Sequence, residues 1–194
     1  MRLHCLAALP VAGLLSAVTV TAVQAPANAA SAAATMAAPK LLRFGQSARV
    51  SGEWGRPLRV APLGVYYYRP SADASIKPKQ KWFVAVAIRV TALFKADRMP
   101  DPISGNMWRV KSGARTFDTN SGNVMSAPWA GRVNEGVMNV KPGHPDVVIK
   151  TFDLPRAGGT LEWATRNGTP IRWQIPAKNT GKTSYQQVLD ALED

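Results

Sequence analysis

The chain has 194 residues, 46% of them hydrophobic, with 24 lysines and arginines against 12 aspartates and glutamates and a formal net charge of +12. The apolar fraction excludes a wholly disordered polypeptide, and the length suffices for one domain plus extensions, with a core that needs no metal or disulfide staple. The positive charge keeps such a protein soluble and favours anionic partners.

Residues 1–29 read as a signal peptide. Arg2 supplies a short positive start, Leu6 to Val23 is apolar apart from small residues and threonines, and Ala27-Asn28-Ala29 fits a small-x-small cleavage site, with Ala25 as a second candidate. The apolar run is just long enough to span a bilayer, but Pro10, Gly13 and the alanine-rich exit favour removal over retention as an anchor. The single cysteine, Cys5, and one of the two histidines, His4, lie in this leader. Cleavage predicts an extracellular, cysteine-free chain, without disulfides, thiol catalysis or cysteine-bound metal. Only one charged residue, Arg2, leaves with it, so the remainder stays strongly basic. Residues 30–40 are alanine-rich and aperiodic and read as a disordered tether.

From Leu41 onward, short extended segments alternate with Gly, Pro, Asn and Asp, the spacing of an all-β sandwich or barrel. Leu58 to Tyr68 reads as two such segments broken by Pro62 and Gly64. Tyr66-Tyr67-Tyr68 suggests an aromatic platform, but consecutive strand residues face opposite ways, so at most two of the three share a surface, and an amphipathic strand with core tyrosines is the simpler reading. Lys77-Pro78-Lys79-Gln80-Lys81 spaces three ammonium groups two apart, on one side of an extended segment. It reads as a polyanion contact or as a solvated loop guarding the next strand. That strand, Lys81 to Leu93, is central: Trp82, Val84, Val86, Ile88 and Val90 form one face, and Phe83, Ala85, Ala87, Arg89 and Thr91 the other.

Asp97 to Gly105 contains two prolines and reads as loop. Met107 to Lys111, a Ser112-Gly113 turn and Arg115 to Phe117 predict a hairpin. Asp118 and Asn120 stand at the first and third positions of a calcium loop, but Gly122 at the fifth and Trp129 at the twelfth do not ligate, which favours a plain turn. The stretch to Gly136 reads as a long polar loop. Lys141 to Asp146 turns into a strand, Val147 to Leu154, with a bulge near Lys150 and Pro155 as its end. In the hairpin Thr160 to Ile175, a two-residue Asn167-Gly168 turn would set core residues against surface ones. A three-residue loop, Arg166-Asn167-Gly168, pairs Trp163 with Ile171 and Leu161 with Trp173 instead. Past Pro176, Ser184 and Gln187 fit a capping box for a short helix whose Tyr185, Val188, Leu189 and Leu192 make an apolar stripe, to be docked on the sandwich or on a partner. Gly181-Lys182-Thr183 resembles the end of a phosphate loop, but Pro176 stands where its first glycine belongs.

After cleavage His144 is the sole histidine, and no Gly-x-Ser-x-Gly turn presents a nucleophile. No enzyme, cofactor or metal site is expected. A carboxylate-pair hydrolase stays open as an alternative, since it needs only two acids.

The central strand Lys81–Leu93, the turn Val110-Lys111-Ser112-Gly113-Ala114, the run Lys141-Pro142-Gly143 before a strand ending Phe152-Asp153-Leu154-Pro155, and a last hairpin ending Trp173-Gln174-Ile175 resemble the immunoglobulin-like secreted antigens of mycobacteria. The wider group comprises exported bacterial domains of unknown function, some labelled telomeric-repeat-binding-factor-like. The resemblance covers about residues 45–176 and implies an immunoglobulin-like antiparallel two-sheet β-sandwich, exported, with no catalytic residues to carry over. The expected organisation is a leader over 1–29, a tether over 30–40, the sandwich over 41–176, and a linker with a short helix over 177–194.

The expected function is that of a secreted, non-enzymatic binding module. Arg69, Lys77, Lys79 and Lys81 would meet an anionic cell-wall polymer or acidic protein, with no specific nucleic-acid role. The alternative is a structural or host-facing interaction domain using sheet edges or the stripe Tyr185, Val188, Leu189 and Leu192.

Overall fold

The computed structural model describes residues 40–99, 108–136, 139–164 and 169–193. The chain divides into two units, 1–36 and 37–194. The leader and nearly all of the tether lie outside the described residues, as do most of the loop expected over 97–105 and the 166–168 turn.

The described residues form an all-β sandwich of two sheets. One sheet holds, in spatial order, β1 (Leu41–Arg43), β9 (Ile171–Ile175), β8 (Gly159–Trp163), β5 (Trp108–Ser112) and β6 (Arg115–Asp118). The other holds β2 (Ala48–Ser51), β3 (Pro57–Tyr68), β4 (Trp82–Ala92) and β7 (Asp146–Leu154). The named strands pair antiparallel except β1, which runs parallel to β9 with Leu42 opposite Trp173. That pair departs from the purely antiparallel expectation.

Period-two alternation builds the space between the sheets. Val84, Val86, Ile88 and Val90 of β4 face inward with Leu58, Val60, Val148 and Phe152, against Trp108, Val110, Leu161, Trp163, Trp173 and Ile175 of the facing sheet. The Trp108 ring lies 4.8 Å from that of Trp163 and 5.8 Å from that of Trp173. The β8–β9 register is the one that keeps apolar residues together, Trp163 opposite Ile171 and Leu161 opposite Trp173. Gly113, at φ +65°, opens the β5–β6 turn.

Three local expectations are corrected. Leu58 to Tyr68 is not two segments: β3 runs through, with a register shift between Pro62 and Gly64. The extra residue, Leu63, resets the alternation, so that Val60 and Val65 both face inward. Pro62 is tolerated because β2 has already ended at the Ala48–Val60 pair, so its missing N–H breaks no ladder. The bulge expected near Lys150 is absent, for β7 pairs with β4 in continuous register from Asp146 to Leu154. Its weak alternation has another cause: β7 is covered on both faces, Val148 and Phe152 between the sheets and Ile149 in a second core.

The tail after Pro176 docks on the sandwich, one of the two placements expected for it, and builds that second core; the third correction concerns the cap of its helix. Thr180 exchanges backbone hydrogen bonds with Val65 at 3.0 Å each, and the Tyr67 N–H donates to Asn179 Oδ1 at 2.9 Å, covering the edge of β3 that β2 leaves open. A 3-10 turn, Lys182–Tyr185, leads into helix α1 (Gln186–Glu193), which lies on the outer face of the four-stranded sheet. No capping box forms. The Ser184 hydroxyl donates to the Gly181 carbonyl at 2.6 Å, and Gln187 Oε1 accepts the Asn134 N–H at 2.7 Å.

Candidate functional site

The connection between β3 and β4, residues 69–81, carries the four cations expected to bind an anion. Arg69, Lys77 and Lys81 line an open depression of about 280 Å3 with Pro70, Ser71, Ala72, Pro78 and Gln80. Lys79 is exposed but is not among the lining residues. The segment is irregular rather than extended, and of its three lysines Lys77 and Lys81 line this depression. The Lys77 ammonium donates to the Ala72 carbonyl, closing the loop on itself, and the Lys81 ammonium sits 5.9 Å from the Trp82 ring centroid. Asp73 is the only acid in the connection, and its carboxyl is held below the usual range by the Ser71 hydroxyl.

A residue to which the sequence reading gave no role of its own fixes this loop. Asp153, fully buried near the end of β7, accepts the backbone N–H groups of Lys79 (2.6 Å) and Asn123 (3.0 Å) on Oδ2 and of Gln80 (2.9 Å) on Oδ1. The Asn123 side-chain amide donates to the Lys77 carbonyl at 2.9 Å. A buried carboxylate with three amide donors is a satisfied charge. It turns the backbone of 79–80 inward and leaves the ammonium groups outside. Gly122, at φ +74°, makes room for it, since a Cβ there would lie 2.3 Å from Asp153 Oδ2. The aspartate of the Phe152-Asp153-Leu154-Pro155 run was legible; its role was not, because the three amides come from distant segments.

The other sequence candidates are structural. Tyr67 points between the sheets, its hydroxyl donating to the Pro176 carbonyl (2.7 Å) and accepting the Gly158 N–H (2.8 Å). Burial raises its pKa above the ordinary tyrosine value. Tyr66 and Tyr68 pack on the outer face against Trp129, at 6.2 and 5.8 Å, and Tyr66 also meets Tyr185 at 5.3 Å. The three therefore form no exposed platform.

The helix stripe is likewise spent on the chain itself. Tyr185 and Val188 are buried against the sheet, and Leu189 and Leu192 are half-buried in the same cluster. Of the two placements expected for the stripe, sandwich or partner, it is the sandwich that takes it, because Phe83, Ala85 and Ala87 would otherwise be bare. Trp129 completes that cover, with its Nε1 donating to Thr151 Oγ1 at 2.9 Å, so the 118–136 loop is anchored rather than free-standing. Asp118 Oδ1 accepts from the Asn120 N–H and the Ser121 hydroxyl, both at 2.9 Å, as in a plain turn.

The buried carboxylates are kept apart. Asp153 stands beside Phe83 at one end of β4, and Asp97 lies past the other end, roughly 30 Å away at strand rise. Glu162 sits on the outer face of the five-stranded sheet between Arg109 (3.0 Å) and Arg172 (2.7 Å). Two-carboxylate hydrolysis needs its acids within about 10 Å. Among the described residues no group of three or more His, Cys, Asp or Glu could hold a metal, and no helix is long and apolar enough to cross a membrane.

No family model and no curated protein matches the chain. Among solved structures, it is similar to a candidate lipoprotein, ycdA, from Bacillus subtilis, at 10% identity and a TM-score of 0.46, over 76% of this chain and 41% of that one. The chain thus spans less than half the length of that protein, and a likeness at this level carries no functional argument.

Proposed function

We propose that the chain is an exported, non-enzymatic binding module whose basic loop 69–81 engages an anionic polymer of the cell envelope. The observation that carries this reading is the Asp153 clamp: it spends a buried charge on holding a loop of four cations and one carboxylate against the body of the sandwich. Attraction at such a surface is Coulombic and screened, with a range of about 10 Å at 0.1 M salt. Export rests on the leader, and the resemblance to the immunoglobulin-like secreted antigens agrees with it. The separation of the buried acids supports a binding role over a hydrolytic one.

The test is co-sedimentation of residues 37–194 with cell-wall material across a salt series, beside a K77Q/K79Q/K81Q variant. Binding should weaken linearly in log–log form with salt, and the variant should bind more weakly with a shallower slope. Absence of binding at low salt, or equal binding by the variant, refutes the reading.

A further inference from the structure

The opposite end of the four-stranded sheet carries a second basic surface that the sequence reading passed over, because its residues come from three separated segments. The β2–β3 turn holds Trp54, 52% exposed, with the guanidinium carbons of Arg56 and Arg98 each 5.7 Å from its ring centroid. Phe94, 72% exposed, follows β4 beside the exposed Lys95. The two segments are tied together: the Leu93 N–H donates to the Pro57 carbonyl at 3.2 Å, the Glu53 N–H to the Arg98 carbonyl at 2.9 Å, and Arg56 Nη1 to the Ala96 carbonyl at 2.6 Å.

Beneath them, buried Asp97 accepts the N–H groups of Trp54 (3.1 Å), Arg56 (2.9 Å) and Arg98 (2.7 Å). The indole and both guanidiniums are therefore presented from a fixed backbone.

The flank of this end is more unusual. Arg49 of β2 stands directly opposite Arg59 of β3, two residue pairs or about 7 Å below the turn. Arg89 of β4, opposite Ala61, is the diagonal neighbour of Arg59 on the same outer face. All three are exposed, and none has an ion-pair partner among the described residues. Like charges directly opposite on adjacent strands oppose pairing. Water and salt screen part of this repulsion at exposed guanidiniums, and an anionic surface laid over them would offset the rest.

We propose that this end, with Trp54 and Phe94 at its tip and Arg49, Arg59 and Arg89 on its flank, docks on an anionic lipid surface. A polyanion in solution would satisfy the arginines but would leave two large rings in water. At a lipid interface the rings enter the headgroup region while the cations meet the charge. The surface is independent of the lysine loop, which lies at the far end of β4.

The experiment is sedimentation of residues 37–194, which contain both cores, with vesicles of phosphatidylglycerol and phosphatidylcholine or of phosphatidylcholine alone, in 0.1 M salt. The expected result is partitioning onto the anionic vesicles only. Binding should weaken at least tenfold in W54A/F94A and on the order of 100-fold in R49Q/R59Q/R89Q, and stay unchanged in K77Q/K79Q/K81Q. All substituted side chains are exposed, and matching circular dichroism keeps the comparison to binding. Brominated lipids should quench a fluorescence component that W54F lacks. Equal binding to neutral vesicles, wild-type binding by W54A/F94A, or loss in the lysine variant instead overturns the proposal. Binding to soluble poly-glutamate but not to vesicles overturns it in favour of an acidic protein partner.

Discussion

The clamp between Gly122 and Asp153 can be tested by a double-mutant cycle. Asp153→Ala removes a charged acceptor from three amides at 2.6, 2.9 and 3.0 Å. Hydrogen bonds to charged groups are worth about 1.5–3 kcal/mol each, and water recovers part of that at the exposed Lys79 and Asn123, leaving a net cost of about 3 kcal/mol. Gly122→Ala places a methyl 2.3 Å from Asp153 Oδ2 at a φ of +74°. The left-handed conformation alone costs about 1–2 kcal/mol, and the carboxylate must then swing out and forfeit its amides. Asp153→Ala should therefore lose about 3 kcal/mol and Gly122→Ala about 4 kcal/mol, the strain added to the forfeited amides. In the double variant the collision is gone and the amides are lost once, so the total should stay at about 4 kcal/mol and the coupling should be about 3 kcal/mol. Urea unfolding of residues 37–194, followed by tryptophan emission, measures all four corners. Additivity within about 0.5 kcal/mol would show that glycine and carboxylate do not meet, and the account of the loop would fail with it.

Tyr67→Phe leaves the Pro176 carbonyl and the buried Gly158 N–H without the hydroxyl that serves both, and should cost about 2 kcal/mol in the same assay. Deleting residues 182–194 uncovers Phe83 and Trp129 and removes Tyr185, Val188 and Ala191 from their cluster. At about 1.5–3 kcal/mol for each large buried side chain, the remainder should lose about 5 kcal/mol and sediment as aggregates. A stripe meant for a partner would instead come away without loss. Burial raises the pKa values of Tyr66, Tyr67 and Tyr185, with Tyr68 and Tyr185 also acting on Tyr66. Unfolded tyrosine ionises near pH 10, so above that point the folded state holds more protons and stability must fall as pH rises. Urea midpoints should be level from pH 8 to about 10 and lower at pH 11; a midpoint that climbs over that last step contradicts the burial of these hydroxyls.

What was legible in the sequence was whatever period two encodes. Trp82 to Val90 declared an inner face, and the competing registers of the 160–175 hairpin could be judged because only one keeps Leu161 and Trp173 together. The second face of β4 was legible only as two alanines after Phe83. That those small residues make room for a helix some hundred positions later is a tertiary fact that no local pattern carries. The lysine run stood out because its charges fall close together in one short stretch, Lys77 to Lys81. The arginines at 49, 59 and 89 did not, since each looks like an ordinary outward residue of its own strand until the register brings them together.

The two buried aspartates order the two ends of this sandwich on which the proposed surfaces stand. Nothing covalent ties the loops of residues 37–194, whose sequence contains no cysteine. At one end Asp153 takes three amides across from Gly122. At the other Asp97 takes three amides across from Gly52, where a Cβ would lie 2.4 Å from Asp97 Oδ2. In each case the glycine gives up its side chain so that a carboxylate can approach the backbone, and the carboxylate orders loops that apolar burial does not reach. Each clamp also brings a negative charge under a cluster of cations, at Lys77 to Lys81 and at Arg56 and Arg98. The carboxylate's acceptors are taken up by backbone N–H groups, so the cations are held near it without being paired to it. Arg98 is paired with Glu53 at 3.5 Å; loops bearing the remaining like charges would otherwise spread, and their cations would have to be gathered again on binding, at an entropic cost of about 0.5–1.5 kcal/mol for each long side chain. Replacing either aspartate should thus weaken anion binding at its own end while leaving the far end unaffected, because roughly 30 Å of sheet, several Debye lengths of salt solution at physiological strength, separates the two.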